Sequence, residues 1–524
     1  MINNTVIFFI PSLSLVVFIL PQFIFGRMPS MPMVIYFILI FIISLVFAFL
    51  LSKNKSPDIS ENRINKILFI FTLSYAVFFC VINFIIFDNF LSLAQDTPLF
   101  AQSIQSVMSP SNFLYNSFEN ASHFNSHVSP FLILLAPFYY IWPTPKILLI
   151  LKVICLSLSI LPLYLIMRFY HSKTISLFLS ITFLLCLPVL GQMTFDFYET
   201  QFLPLVLLFA YYFWKKKKFF LHLLFLILSL SIREEISAIL FMFGIYSWLK
   251  KRELKWIIYP ILIGTIWGFI AFKLIMPFFS KTGSYHFQDM VFGDLLRIGI
   301  NSFITKENLV YIYWLLAPLL LILPFFSWEW ILGFPILFGY LYIHYSYGKY
   351  IGHHYHLGIF PQLFISLGGG LNFVSNRLFK RFEPEKIKLI IVSTIFLLTV
   401  AFSGGFYIDG ILNFKKPTNS PRYILEEALK LIPSDASVLA PRYVNTHISN
   451  RLYLHRSIEE MHRVFSENIF AEFVLIDNNS SDNYTINYIN KLFKEKVSNF
   501  YIYEKVYEKE GVSLYKLSLL HSCK

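Results

Sequence analysis

Runs of eighteen or more mostly apolar residues recur along this chain of 524 residues, and they constrain its fold more than any other feature. In a bilayer the backbone N–H and C=O groups must be satisfied within the segment itself, so such runs become helices. Apolar segments fall near 5–26, 31–52, 67–88, 146–169, 174–194, 202–214, 219–232, 236–249, 256–279, 309–326, 328–345, 357–375 and 389–408. They predict about 13 spans, some too short for a hydrocarbon core of about 30 Å unless they tilt or the bilayer thins. Residues 129–142 (SPFLILLAPFYYIW) are apolar but short, and read equally as a re-entrant, interfacial or spanning piece. Only 14% of residues are charged, against about 25% in soluble proteins.

Charge orients these segments. Loops 53–66, 168–173, 215–218, 250–255 and 376–388 hold nineteen Lys and Arg. The alternate loops 27–30, 89–145, 195–201, 233–235, 280–308 and 346–356 are longer in total and hold six. Cytoplasmic loops collect basic residues. The N-terminus is therefore expected in the cytoplasm and the second set of loops outside. This parity requires the chain to break at Arg233–Glu235, between segments 219–232 and 236–249. The net charge of +13 is thus a topology signal, and no nucleic-acid partner is expected. Cys80, Cys155, Cys186 and Cys523 have neither a disulfide nor a metal-binding spacing. The first 26 residues lack a basic n-region and a cleavage site and read as a retained span.

Beyond residue 408 the pattern changes. SPRYILEEALKL (420–431) reads as a capped amphipathic helix. SVLAP, RLYLH and FVLIDNN read as short strands. The expected fold is mainly α, a polytopic membrane domain over 1–408 with a long first outer loop at 89–145. A small extracytoplasmic α/β domain follows over 409–524. Asn-x-Ser/Thr triplets at Asn120, Asn478, Asn479 and Asn483 fall in segments assigned outside.

The acidic and histidine motifs gather in those outer segments. Asp96 precedes Leu99, Phe100, Ile104, Val107 and Met108, whose spacing predicts an amphipathic helix lying on the outer surface. Asp96 is placed there as a general base or metal ligand, or more simply as that helix's cap. His123 and His127 have i,i+4 spacing, but Asn125, Ser126, Ser129 and Pro130 oppose a sustained helix, and no Glu lies between them. Asp196 and Glu199 (FDFYETQF) share a very short loop; Glu234 and Glu235 follow Arg233 at the proposed turn. Unpaired charge at membrane depth costs about 2.5–3.5 kcal/mol, so partners or water must be near. His353, His354 and His356 stand just before a span and cannot all point one way. Asp96, Asp196 and Glu234 are candidate ligands for a divalent cation such as Mg or Mn. A phosphate-bearing ligand would need Arg233, Lys281, Arg297 or Lys349, the outer cations. No P-loop, GxGxxG, GxSxG or CxxC is present.

In this order the motifs resemble a microbial membrane protein family, a domain of unknown function grouped with the GT-C glycosyltransferases. QDTPLFAQ carries the acidic residue as Asp96, with Ala101 at the second acidic position. HVSPFLILLAPFY is similar to the family's HFSPxLxLLxPxY through His127; DFYET is similar to DFHPE through Asp196, with Tyr198 in place of the histidine. Arg233-Glu234-Glu235 matches the basic–Glu–acidic triplet, and IPSDASVLAPRYVNTHISNRLYLH and EFVLIDNN the C-terminal region. The similarity covers about residues 85–480. It implies a GT-C architecture, an outer catalytic aspartate at Asp96 and a polyprenyl-phosphate sugar donor in the bilayer. His127, Asp196, Glu199, Arg233, Glu234, Glu235, His353, His354 and His356 are the candidate substrate-binding residues.

Two other classes compete. A transporter or flippase for a lipid-linked or anionic solute needs charged groups at the bilayer midplane, and Lys152 and Lys273 are the clearest in the spans. A non-catalytic scaffold would leave the outer acids apart from one another.

Overall fold

The computed structural model describes residues 59–92, 96–280, 304–342, 346–380, 382–412, 414–455, 471–480 and 501–519, with Ile42. The expected spans at 5–26 and, Ile42 apart, 31–52, and Lys281, Arg297, Asn483 and Cys523, lie outside these.

Among the described residues four helices are long and apolar enough to cross a membrane: Glu61–Asp88, Pro145–Met167, Leu254–Phe279 and Pro384–Tyr407. A fifth exists if Lys173–Leu185 and Leu187–Thr194, bent by 50°, form one span. Pro188, second residue of the latter, cannot donate to the preceding turn, and Cys186 is extended at the break. The chain is mainly helical, and among the described residues four or five helices, not 13, have the length and apolar character of a span; several others are shorter than a bilayer. Helices Leu203–Lys215, Phe219–Ile232 and Ile236–Leu249 have 13, 14 and 14 residues, about 20 Å each at 1.5 Å per residue. Phe131–Ile141 has 11 residues and contains Pro137, so it is too short to cross.

Segments 309–326 and 328–345 are not two continuous spans. The helix Lys306–Leu316 gives way to 3-10 turns at Ala317–Leu319, Leu323–Phe326 and Glu329–Leu332. Pro318 and Pro324 remove two N–H donors, while Leu320 (φ 57°) and Leu321 (φ 53°) adopt left-handed backbone between them. The broken stretch lies against Phe360–Phe373, whose Gly368-Gly369-Gly370 run permits close approach. There Glu329 accepts from the hydroxyls of Tyr246 (2.7 Å), Tyr211 (3.0 Å) and Tyr170 (3.3 Å), and from Ser327. Lys215, from the KKKK loop, donates to Tyr170 at 2.9 Å.

The C-terminal region carries a five-stranded mixed sheet. Its order in space is Leu454–His455, Val438–Leu439, Phe473–Asp477, Val512–Leu519, Tyr501–Lys509. The first three strands are parallel, the others antiparallel. The expected helix appears as Arg422–Lys430.

This region covers the Asp96–Gln105 helix. Gln102 Nε2 donates to Arg451 O (2.6 Å), and Ser117 Oγ donates to Leu454 O (2.5 Å). His447 stacks on Phe90 at 3.9 Å, and its Nε2–H donates to Phe87 O at 3.0 Å. Residues 97–104 are consequently all buried. The expected surface helix is instead an interior one, because its polar face meets the C-terminal region rather than water.

A Cβ on Gly370 would land on the Leu323 carbonyl oxygen, a backbone atom that cannot swing away. Gly370→Ala is expected to destabilise the protein by about 1–3 kcal/mol through overpacking, measured as a lower thermal midpoint in detergent. A harmless substitution would show that the two segments are not in contact.

Candidate functional site

Two loops about a hundred residues apart are bolted together. Asp196 Oδ2 accepts from Thr97 N (3.4 Å), and Thr97 Oγ1 accepts from Phe197 N (3.0 Å). Ser92 Oγ donates to Asp196 Oδ1 at 2.8 Å. Thr97 N is one of the first-turn donors that a helix cannot satisfy itself, so Asp196 caps the helix that begins at Asp96. The capping role offered to Asp96 belongs to Asp196. Asp96 is left partly exposed, within electrostatic reach of Tyr198. Burial pushes the Tyr198 hydroxyl well above its ordinary pKa, and Glu199 and Asp96 add to the rise against Arg233.

Lys152 supports this bolt from below. Its ammonium, fully buried within the Pro145–Met167 helix, donates to Phe195 O, the carbonyl at the end of Leu187–Thr194. A cation there satisfies an unpaired carbonyl and complements the helix dipole.

Behind Asp96 lies a buried network centred on Arg233, whose extended backbone ends the Phe219–Ile232 helix. Its Nη1 donates to Glu199 Oε1 (3.2 Å), its Nη2 to His127 Nε2 (2.8 Å), and its Nε lies 3.6 Å from Glu235 Oε2. Because arginine only donates, His127 Nε2 must accept and its proton must reside on Nδ1. That Nδ1–H faces Glu234 Oε1 at 3.0 Å, while Val128 N donates to Glu234 Oε2 at 3.0 Å. Burial, then Arg233, push the His127 pKa down, which agrees with a neutral ring. Burial pushes Glu234 up, but His127 and Arg233 outweigh it and hold the carboxyl below its ordinary range. Burial raises Glu199, against Arg233, and its Oε2 is buried with no hydrogen-bond partner.

A closed ring of contacts returns to Arg233. The guanidinium lies 5.5 Å from the Tyr198 ring centre; Tyr198 stacks on His354 (3.4 Å between centroids), and His354 on Tyr355 (4.0 Å). Tyr355 meets Tyr340 edge-on at 5.6 Å, and Tyr340 OH donates to Glu235 at 3.3 Å. Burial, then Arg233, push the His354 pKa well down, and neither ring nitrogen has a hydrogen-bond partner. The other two histidines diverge. His353 packs on Tyr350 (4.7 Å) and Phe195 (5.2 Å); His356 sits between Tyr311 OH (3.0 Å) and Tyr350 O (2.8 Å). His123 is buried, and its Nδ1 pairs with Glu119 Oε2 at 3.4 Å.

Both oxygens of Glu234 and both of Asp196 are committed to hydrogen bonds. Among the described residues no three His, Cys, Asp or Glu side chains are grouped to hold a metal. Thr97, Lys152, Tyr198, Tyr340 and Tyr355 were not assigned to the site by sequence analysis; Lys152 gave a signal as a lysine inside an apolar span and Tyr198 as the residue in place of the motif histidine.

The fold is a helical membrane core with a small C-terminal sheet. The chain belongs to the family described as Predicted membrane protein (DUF2079), whose model matches residues 83–514. Among solved structures, the crystal structure of ArnT from Cupriavidus metallidurans bound to undecaprenyl phosphate is similar at TM-score 0.50. Its identity is 11%, covering 85% of this chain and 97% of that one. The same protein in the apo state gives TM-score 0.45 and 11% identity over 84% and 98%. The likeness is one of fold. No curated protein matches the chain.

Arg233→Met would leave Glu199 and Glu235 without their cation. Removing one partner of a buried pair costs about 3–5 kcal/mol, so this variant is expected to melt well below wild type and Arg233→Lys to lie between. Equal melting of all three would refute the central role of the guanidinium. The Glu119–His123 pair gives a pH signature. His123 is raised above its ordinary pKa because Glu119 outweighs burial. Its contribution is complete below about pH 6.5 and is lost as pH rises through the folded value. His123→Gln is therefore expected to flatten the decline of thermal stability as pH rises above about 6.5; an unchanged slope would count against the pair.

Proposed function

We propose that this protein is an inverting GT-C-type membrane glycosyltransferase. It takes a sugar from a polyprenyl-phosphate-linked donor and passes it to an acceptor at the extracytoplasmic face. The observation that carries the reading is the placement of Asp96: a partly exposed carboxylate on a helix start pinned by Asp196 and Thr97, beside Tyr198. The ArnT structure that shares the fold was solved with undecaprenyl phosphate, which supports a polyprenyl phosphate as partner. The lysine-rich loops orient the motif face outward.

In this reaction Asp96 takes the proton of an acceptor hydroxyl. The freed oxygen attacks the anomeric carbon, and the bond from that carbon to the phosphate oxygen breaks with inversion. The electron pair leaves with the polyprenyl phosphate. A base so placed must lie within hydrogen-bond reach of the acceptor. No step is routed through a metal. Arg233 is held by Glu199, His127 and Glu235, so it positions Tyr198 and His127 and leaves neutralisation of the phosphate to an outer cation such as Lys349. Transport is less well supported, because Lys152 is engaged as a helix cap.

Asp96→Asn is expected to slow loss of label from a polyprenyl-phosphate-linked sugar by about 10²–10⁴-fold, with melting unchanged. Wild-type turnover in a folded Asp96→Asn protein would rule out this role.

A further inference from the structure

Within the C-terminal region, Asn445 and Thr446 are buried, 0% and 3% exposed, yet neither Asn445 amide atom nor the Thr446 hydroxyl has a hydrogen-bond partner. A buried asparagine with both ends unsatisfied is a costly choice, since each such group forfeits about 1–3 kcal/mol. An apolar residue of similar shape would serve packing better. The pair also occupies a joint between two parts of the molecule. The Thr446–Ile448 turn packs against the helix that begins at Asp96. The neighbouring His447 is wedged against Phe87 and Phe90.

We propose that Asn445 and Thr446 form a binding site for the hydroxyl groups of a carbohydrate, in the seam between the C-terminal region and the Asp96–Gln105 helix. An amide and a hydroxyl offer donors and acceptors without charge, which suits sugar hydroxyls. The Arg451 guanidinium is not offered to an anion, being spent on the carbonyls of Ile448 (2.8 Å), Ala436 (2.8 Å) and Pro433 (3.1 Å). A purely apolar ligand would leave the amide as unsatisfied as before. The seam itself is closed by a few polar contacts, Gln102 to Arg451 O, Asn450 to Pro143 O and Ser117 to Leu454 O. Such contacts can part and re-form as a ligand enters. The site stands apart from the transfer reaction and does not require it.

The test uses the full-length protein in detergent, melted with and without D-glucose, D-mannose, D-galactose or L-rhamnose, with glycerol as control for general solvent effects. At about 100 mM sugar a site of about 10 mM affinity favours the folded state about tenfold, a rise of about 2 °C. At least one sugar is expected to give wild type this rise beyond glycerol. Asn445→Leu and Thr446→Val should each lose it while melting, without sugar, at or above the wild-type temperature. Three results would overturn the proposal. One is no sugar-specific rise in wild type, and another is the same rise in both variants. The third is a large loss of stability in the sugar-free variants, which would mean that the folded protein already satisfies these groups through a buried water.

Discussion

The organisation of the motif face depends on one guanidinium in a place where water cannot neutralise it. Arg233 sits at a helix end, nearly inaccessible, and everything around it answers the demand for compensation. Glu199 comes from one loop, His127 from another, Glu235 from its own turn, and the Tyr198–His354–Tyr355 column from the loop of Glu199 and one more. Because an arginine presents its donors in a rigid fork, each partner is constrained in direction as well as distance. The proton of His127 is the clearest consequence: a donor on one side of the ring dictates a donor on the other.

The second device is the exchange between Asp196 and Thr97. Each residue satisfies a backbone N–H on the loop of the other, directly or through its neighbour. The start of the helix that carries Asp96 is thereby held by a side chain, with Lys152 tying the far side of the same loop to a membrane helix. Asp96 inherits a fixed position from this arrangement.

Much of this was legible in the sequence, and the part that was not has physical reasons. Loop charge was enough to bring Asp96, His127, Asp196, Glu199 and the 233–235 triplet to a common face, because orientation depends on lysine and arginine counts. Which carboxylate meets which base depends on side-chain directions that spacing does not encode, so Asp196 was read as a ligand and acts as a cap. The segment 309–326 does not form one continuous helix, because prolines and left-handed leucines divide an apolar run and hydropathy is blind to a backbone break. Glu329 was hidden for the same reason, inside a segment taken for a continuous span. The hairpin Tyr501–Lys509 with Val512–Leu519 escaped notice because its first strand, YIYEKVYEK, is mostly exposed and shows no clean apolar alternation.

The contacts that close the motif face also have a sequence geography. Phe87 meets His447 and Gln102 meets Arg451 across separations of 360 and 349 residues. A chain threaded into a membrane from its N-terminus makes the early helices long before residue 447 exists. The Asp96 helix must therefore spend part of its synthesis with its upper face bare, and the enclosure over it is the last piece of architecture to arrive. Biogenesis of this protein is in that sense a matter of keeping an unfinished surface intact until its distant cover is delivered.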